Sequence, residues 1–392
     1  MEDRTRAYLR GRFRDYYRRA EVPAPPAADR REWGYIPWSP GGTTMVRHQS
    51  LLELGSLGAF LERERPRHVY FSAGRYDEPD AGSMGEKGWR GSDLVFDLDA
   101  DHLPGVDPDA DSYREMLAAC KDELRALLDH LTGDFGIAPE ELTVVFSGGR
   151  GYHVHVRDGD LRGLSREARR EVVDYVRGIG VEFEDVLATE AVAGRGLANP
   201  TDKRSFDTRG GWGRRAHEHT VAFVDDLLAV DEDAAIDRLR EFEGIGEGRA
   251  NAVLSAARTN YEEIAAGNVD VHPAFLGLAR RLFEETVERE SAAIDEPVTT
   301  DIHRLIRLPG SLHGGTALRV TPVAYDDLGE FRPLRDAVPE AFVGHEIRVR
   351  GDGGPAVELR GKEIKVPEGV TTMPEYAAAF LMARGRAEKE RE

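Results

Sequence analysis

Cysteine is almost absent: Cys120 stands alone among 392 residues. One thiol closes no internal disulfide and cannot furnish a Cys-rich zinc centre. Lysine is nearly as scarce, occurring at 87, 121, 203, 362, 365 and 389 among 53 basic residues, so arginine carries the positive charge. No apolar run approaches the roughly 18 residues of a membrane helix. Met1-Glu2-Asp3-Arg4 carries charge with no apolar stretch behind it, which predicts no secretory leader. These absences exclude membrane-spanning, collagenous and disulfide-rich secreted classes, and the expectation is a cytoplasmic protein.

What is present is a globular composition, 40% hydrophobic and 32% charged. The length suggests two or three domains or subdomains at roughly 150 residues each. Acids outnumber bases 72 to 53, a net charge of −19. Acid excess with scarce lysine fits a chain adapted to high salt, where a Debye length of about 3 Å at 1 M blunts self-repulsion. An acidic protein from an arginine-rich genome would look similar. The total charge therefore says little about nucleic-acid binding, and local patches matter more. Residues 1–31 carry nine arginines against five acids. Tyr8, Leu9, Phe13, Tyr16 and Tyr17 recur at helical spacing there, which predicts a basic amphipathic helix ended by Val22–Pro26. Packing its aromatic face on the core is one use, and contacting phosphate is another.

Strand patterns are expected at 68–72, 92–100, 143–146 and 152–156. Helices are expected at 110–133 and 165–190, and a loop at 195–219. Residues 222–293 read as almost wholly helical, with breaks at 244–248 and 267–273. β-like patterns return at 298–325 and 345–365, and a helix with a charged tail closes the chain at 374–392. The predicted fold class is α/β (α+β): a catalytic core of mixed sheets flanked by helices, with an inserted all-helical subdomain. The expected boundaries are 1–220 for the first part of the core, 221–294 for the insertion and 295–392 for the second part.

Three segments carry chemistry. In Asp93-Leu94-Val95-Phe96-Asp97-Leu98-Asp99, strand alternation sends Leu94, Phe96 and Leu98 to one face and Asp97 and Asp99 to the other. Two carboxylates side by side near a strand end repel unless cations lie between them. Hard divalent cations prefer oxygen ligands, and a two-metal phosphoryl-transfer site needs such a pair. Solvated acids at a strand end would give the same pattern. The string is also similar to the first motif of haloacid-dehalogenase-type phosphatases, but Ala100-Asp101 stands where that motif continues Gly-Thr. The second segment, Ser147-Gly148-Gly149-Arg150-Gly151-Tyr152-His153-Val154-His155-Val156, reads as strand, glycine turn, strand. Its glycines let backbone amides approach an anion, Arg150 can grip phosphate, and His153 and His155 share a face. An ordinary hairpin is the alternative. The third, Thr299 to Gly315, adds Asp301, Arg304, Arg307 and His313 around a glycine-containing turn. Such cations suit a triphosphate or balance surface acids.

Together these segments resemble the catalytic (small) subunit of the archaeal and eukaryotic-type DNA primase family, here with a halophilic composition. The resemblance covers most of the chain: Met45–His48, Ser72–Pro79, Asp93–His102, Ser147–Val156, Thr299–Gly314 and Met373–Tyr376. It implies a prim-pol core with an inserted helical subdomain. It implies Asp97, Asp99 and Asp301 as catalytic, metal-binding acids holding two Mg²⁺ or Mn²⁺ ions. Ser147, Arg150 and His153 would contact nucleotide phosphates, with Arg304, Arg307 and His313 completing the pocket. The implied reaction is template-directed, de novo synthesis of short primers on single-stranded DNA from nucleoside triphosphates (NTPs or dNTPs), within a primosome. In enzyme terms that is a DNA-directed RNA polymerase activity of primase type, with possible DNA-polymerising activity. The implied partner is a large regulatory subunit with an iron–sulfur cluster, for which this chain lacks the cysteines.

Two departures from the family pattern stand out. Archaeal members commonly carry a Cys/His zinc knuckle after the Asp pair, but residues 101–121 offer only His102 and Cys120, so no structural zinc is expected. Gly149 stands where many members have a basic residue, which puts more of the phosphate contact on Arg150. Phe242 to Ala250 resembles the turn of a helix-hairpin-helix, for DNA contact or for packing alone. The rival functions are a primer-dependent repair or end-joining polymerase of the same superfamily and a non-catalytic nucleic-acid-binding subunit.

Overall fold

A computed structural model describes residues 1–41, 44–107, 110–192 and 201–391. The chain folds as two compact units. One comprises 1–125, 137–173 and 293–392; the other comprises 126–136 and 174–292. The mixed α/β reading holds, with several small sheets flanked by helices.

The first twelve strands are, in chain order, β1 (Trp33–Ile36), β2 (Val46–Gln49), β3 (His68–Ser72), β4 (Gly74–Tyr76), β5 (Trp89–Ser92), β6 (Leu94–Asp99), β7 (Leu142–Phe146), β8 (Gly151–Val156), β9 (Leu187–Val192), β10 (Thr201–Phe206), β11 (Leu305–Arg307) and β12 (Thr321–Val323). In the first unit, one antiparallel sheet runs β11-β3-β1-β2 and another runs β12-β7-β8-β6, while β4 and β5 form a ribbon.

In β6 the period-2 pattern works as read. Leu94, Phe96 and Leu98 are fully buried, and the Cys120 thiol of the helix Tyr113–Asp129 donates to the Leu98 carbonyl at 3.5 Å. On the other face Val95 packs with Ala73, Val298 and Ile306, joining β6 to the β3–β11 side and to the helix Glu296–Thr300. Where this cluster ends, Asp97 and Asp99 emerge half-buried.

The amino-terminal helix Asp3–Tyr17 buries Leu9, Phe13, Tyr16 and Tyr17. Tyr16 donates to the Gly310 carbonyl at 2.7 Å and the Tyr17 hydroxyl accepts the Leu312 N–H at 3.2 Å. Its aromatic face therefore packs inward and braces the loop before His313. The closing helix is Glu375–Ala383, and its buried Glu375 takes the guanidinium of Arg12 at 2.7 Å.

The second unit begins earlier than residue 221, which falls inside the helix Gly211–Leu228. Of residues 195–219, read as loop, 195–200 lie outside the described residues, and 201–219 include β10 and the start of that helix. The reason is tertiary: Phe183, Phe206, Trp212 and Phe283 share one apolar cluster. The expected helix over 165–190 stops at Val176, and the chain then enters β9. Farther on, the helices Glu232–Arg240, Glu247–Thr259 and Pro273–Glu290 bury a leucine- and alanine-rich core, broken near the predicted glycine and proline positions. The Phe242–Ala250 segment is the turn of a packed helical hairpin.

Candidate active site

The site is built on β6, the β7–β8 turn, β11 and the loop after it, all within the first unit. The antiparallel register pairs Asp97 with His153 and Asp99 with Gly151. His153 Nε2 lies 3.3 Å from the Asp97 carboxylate, and Arg150 Nε lies 3.7 Å from that of Asp99. Arg150 also pairs with Asp101.

The turn is shaped by its glycines and Ser147. Ser147 Oγ accepts the N–H groups of Gly149 and Gly151, each at 3.3 Å. Gly148 has φ +75°, a conformation that disfavours a side chain, and a Cβ there would meet His313 Cβ at 2.7 Å. A Cβ on Gly151 would fall 1.7 Å from the Leu98 carbonyl oxygen. No other residue fits where β8 starts beside β6.

Two adjoining hollows result. A recess of about 150 Å³ is lined by Asp97, Asp99, Ser147, His153, Arg304 and Arg307, with Tyr70 beside them. A cleft of about 460 Å³ is lined by Asp99, Ser147, Arg150, Arg307 and His313, together with Tyr113, Thr316 and Arg384. Asp99, Ser147 and Arg307 belong to both. Eight of the nine residues singled out in the sequence thus meet across one shared wall.

Asp301 does not join them. It lines neither hollow, and its carboxylate accepts the His303 N–H at 2.9 Å. Its charge helps raise the nearby Tyr76 phenol, after burial and the charge of Glu32. The acid beside the pair is Asp295, whose N–H donates to the Asp97 carbonyl at 2.9 Å. Burial raises the Asp295 carboxyl above the usual range, and the charges of Asp97 and Asp99 add to this. Asp295 and Asp301 cap opposite ends of the helix Glu296–Thr300. Only five residues lie between them, and the docking of that helix decides which faces β6.

The electrostatics are divided. Burial pushes the Asp97 carboxyl up, but His153, Arg307 and Arg304 outweigh it and hold it below the usual range. Burial drives the His313 imidazole well down, and Arg307, His68 and Arg67 push the same way, so His313 is neutral among cations. His313 Nδ1 lies 3.0 Å from Thr316 Oγ1. Buried His153 Nδ1 and Arg307 Nε have no hydrogen-bond partner among the described residues. Donors left unpaired beside a cleft suit an anionic ligand.

Three residues of this site gave no sequence signal. Asp295 sits in an unremarkable acidic stretch. Tyr113 donates to the Gly149 carbonyl at 2.6 Å from a helix far along the chain. Arg384 lies over the Tyr113 ring, 4.6 Å from its centroid.

The donor chemistry fits divalent cations: Asp97, Asp99 and Asp295 offer hard oxygens, and the raised Asp295 carboxyl reports crowding of negative charge. As described, however, the Asp97 and Asp99 carboxylates are engaged by His153 and Arg150. Among the described residues, no three His, Cys, Asp or Glu side chains converge as a ligand set.

Comparison with known proteins adds the family. The family described as DNA primase small subunit matches residues 96–325, a span that contains every residue of both hollows except Tyr70, Ala383 and Arg384. The DNA primase small subunit PriS of Haloarcula marismortui is 62% identical over 394 residues, covering 100% of both chains. That of Natronomonas pharaonis is 60% identical, covering 99% of each. That of Methanothrix thermoacetophila is 42% identical, covering 99% of this chain and 100% of the relative.

Proposed function

Because this chain belongs to the DNA primase small-subunit family, we propose that it is the catalytic subunit that starts primers on single-stranded DNA by nucleotidyl transfer from nucleoside triphosphates. The observation that carries this reading is the shared wall of Asp99, Ser147 and Arg307 between the carboxylate recess and the cationic cleft. A nucleotide with its triphosphate against Arg150, Arg307 and His313 would place its α-phosphorus near the carboxylates.

Asp97, Asp99 and Asp295 would hold Mg²⁺ or Mn²⁺ there, which activates the attacking hydroxyl and neutralises charge on the leaving group. The residues of the chain do the rest. His153 and Arg150, which lie against the Asp97 and Asp99 carboxylates, would offer their N–H groups to phosphate oxygens. The Gly149 and Gly151 amides sit at the same turn. Arg307 is anchored by a 3.2 Å bond to the Ser147 carbonyl and keeps its Nε free. The 3′-hydroxyl of the first nucleotide or growing chain attacks the α-phosphorus. The P–O bond to the β-phosphate breaks, and pyrophosphate leaves.

By the small-subunit designation of its relatives, the partner is a large subunit. We assign the iron–sulfur cluster to that partner, since Cys120 is single, buried, and raised in pKa by burial. No helix among the described residues is long and apolar enough to cross a membrane, and we place the complex in the cytoplasm.

Primer synthesis on single-stranded DNA in high salt tests the reading, with nucleoside triphosphates, divalent cation and large subunit but no primer. Short products from the wild type and none from Asp97→Asn are expected. Products only when a primer is supplied would instead indicate a primer-dependent polymerase. DNA binding without any product would leave a binding subunit.

A further inference from the structure

The β6–β8 face that carries the carboxylates has a second end. Asp93 precedes β6, and Arg157 follows β8. The register that pairs Leu94 with Val156 sets them opposite one another, four residues or about 13 Å from Asp97 and His153. Asp93 and Arg31 are fully buried, with Arg31 donating to the Asp93 carboxylate at 2.6 Å. Arg75 donates to its other oxygen at 3.0 Å, and Arg162 Nε approaches to 3.9 Å. Arg169 is spent on the carbonyls of Ser92 and Asp93, at 2.7 and 3.1 Å.

One carboxylate therefore faces five guanidinium groups in a chain of net charge −19. Arg157 makes no side-chain ion pair or hydrogen bond with any described residue, and burial lowers its pKa, with Asp93 opposing and Arg75 reinforcing. Buried Nε atoms of Arg75, Arg157 and Arg162 have no hydrogen-bond acceptor among the described residues. Nearby acids are committed elsewhere: Asp77 takes Arg30 and Arg90, and Asp158 accepts the Asp160 N–H at 2.8 Å. Buried cations are ordinarily paired, because an unpaired one loses its hydration without return. Arg75, Arg157 and Arg162 are only half-buried, so solvent reaches them.

We propose that Arg75, Arg157 and Arg162 form a binding site for a phosphate group, separate from the triphosphate cleft, at the opposite end of the β6–β8 face. Arg75 is held by Asp93, and Arg162 Nη2 donates to the Arg157 carbonyl at 2.8 Å, which sets their half-buried guanidinium groups beside Arg157. Guanidinium forks match the several oxygens of a phosphate. The phosphate comes either from a single-stranded nucleic acid or from a free or terminal phosphate.

The test uses thermal unfolding at constant ionic strength, with phosphate replacing part of the chloride. An Arg150→Gln/Arg307→Gln background disables the cleft. Phosphate should raise the melting temperature, and adding Arg157→Gln should weaken the apparent phosphate affinity roughly tenfold. General salt effects are the same in both proteins and cancel. Without phosphate, Arg157→Gln should melt no lower than its parent, because it removes repulsion. An unchanged phosphate response overturns the proposal. So does a variant that melts lower or fails to fold, since Arg157 would then be holding the structure together. Crystals of the cleft-disabled protein soaked in selenate give a second measurement: an anomalous peak within hydrogen-bond reach of Arg157 is expected, and its absence overturns the site.

Single-stranded DNA binding across a salt series separates the two sources. For a strand phosphate, the slope of log affinity against log salt falls by about 0.7 in Arg157→Gln. For a free or terminal phosphate the slope stays and only the melting response is lost. None of these readings requires nucleotidyl transfer, so the site can fail while the proposed activity stands.

Discussion

The two ends of the β6–β8 face are made of the same two strands and opposite chemistry. At one end Asp97, Asp99 and Asp101 meet His153 and Arg150, with Asp295 alongside. At the other, Asp93 alone meets Arg31, Arg75 and Arg162, with Arg157 opposite. Between them Val95 and His155 pair in register, and His155 stacks on Phe71 with ring centroids 6.1 Å apart. Alternation along a strand decides only that all these side chains share a face. The sign and burial of each end come from what is packed against it: the helix Glu296–Thr300 and β11 at one, the Arg31 segment and the β4–β5 ribbon at the other. On the proposed function, the half-open acidic end would exchange its protein cations for metal. A closed basic end has a buried pair at its centre and spare donors at its rim.

The comparison can be broken most sharply at the acidic end. Asp97→Asn should lower primer synthesis by roughly a thousandfold or more while single-stranded DNA binding stays near wild type, read by product gels and by anisotropy. An equal loss of binding would mean that Asp97 holds the fold instead. Next, Asp295→Asn should cost roughly a hundredfold or more in rate, whereas Asp301→Asn should stay within about threefold. Steady-state rates of the two variants decide which end of the helix Glu296–Thr300 carries the third acid. If Asp301→Asn is the inactive one, the β6 end is not closed by Asp295.

At the basic end the expected effect is on stability. Arg31→Met leaves Asp93 buried with weaker partners and should cost about 3 kcal/mol in denaturant unfolding at high salt. Activity per folded molecule should persist. The smallest effect belongs to the middle of the face. Burial holds His155 well below its usual pKa, with His153 and Arg157 adding to this, and both its ring nitrogens lack hydrogen-bond partners among the described residues. The unfolded chain then binds a proton below about pH 6.5 that the folded chain refuses. The His155 contribution to stability is thus full above that pH and is lost as pH falls toward the depressed folded value. His155→Leu should flatten this loss by about 1.4 kcal/mol per pH unit, measured by unfolding at several pH values. An unchanged slope would assign the titration to His68 and His313, which are depressed in the same direction.

Much of this architecture was legible in the residues. The apolar row Leu94, Phe96, Leu98 and the acids between its members told the two faces of β6 apart. Ser147 to Gly151 announced a turn that tolerates no side chain at Gly151. The aromatic spacing of residues 8–17 announced the helix that braces Gly310 and Leu312. The limits were equally specific. Residues 201–219 read as loop because their polar, arginine-rich pattern hides β10 and a helix that gain their stability from Phe183 and Phe283. Tyr113 and Arg384 reached the cleft with no local sign, because their role depends on contacts with Gly149 and with each other.

By itself, then, the sequence determined what short-range rules can carry: which side of each strand is acidic or apolar, where the glycines force a turn, and that cations and carboxylates of the right kinds are present. Only the tertiary structure decided which of them meet. Asp295 and Asp301 are the same residue type and stand at opposite caps of one five-residue helix. Val298 buries against Val95, Ala73 and Ile306, and this docking turns the Asp295 end toward β6 and sends Asp301 toward Tyr76. Burial of an apolar side chain from a distant segment made that choice, and no periodicity within the segment encodes it.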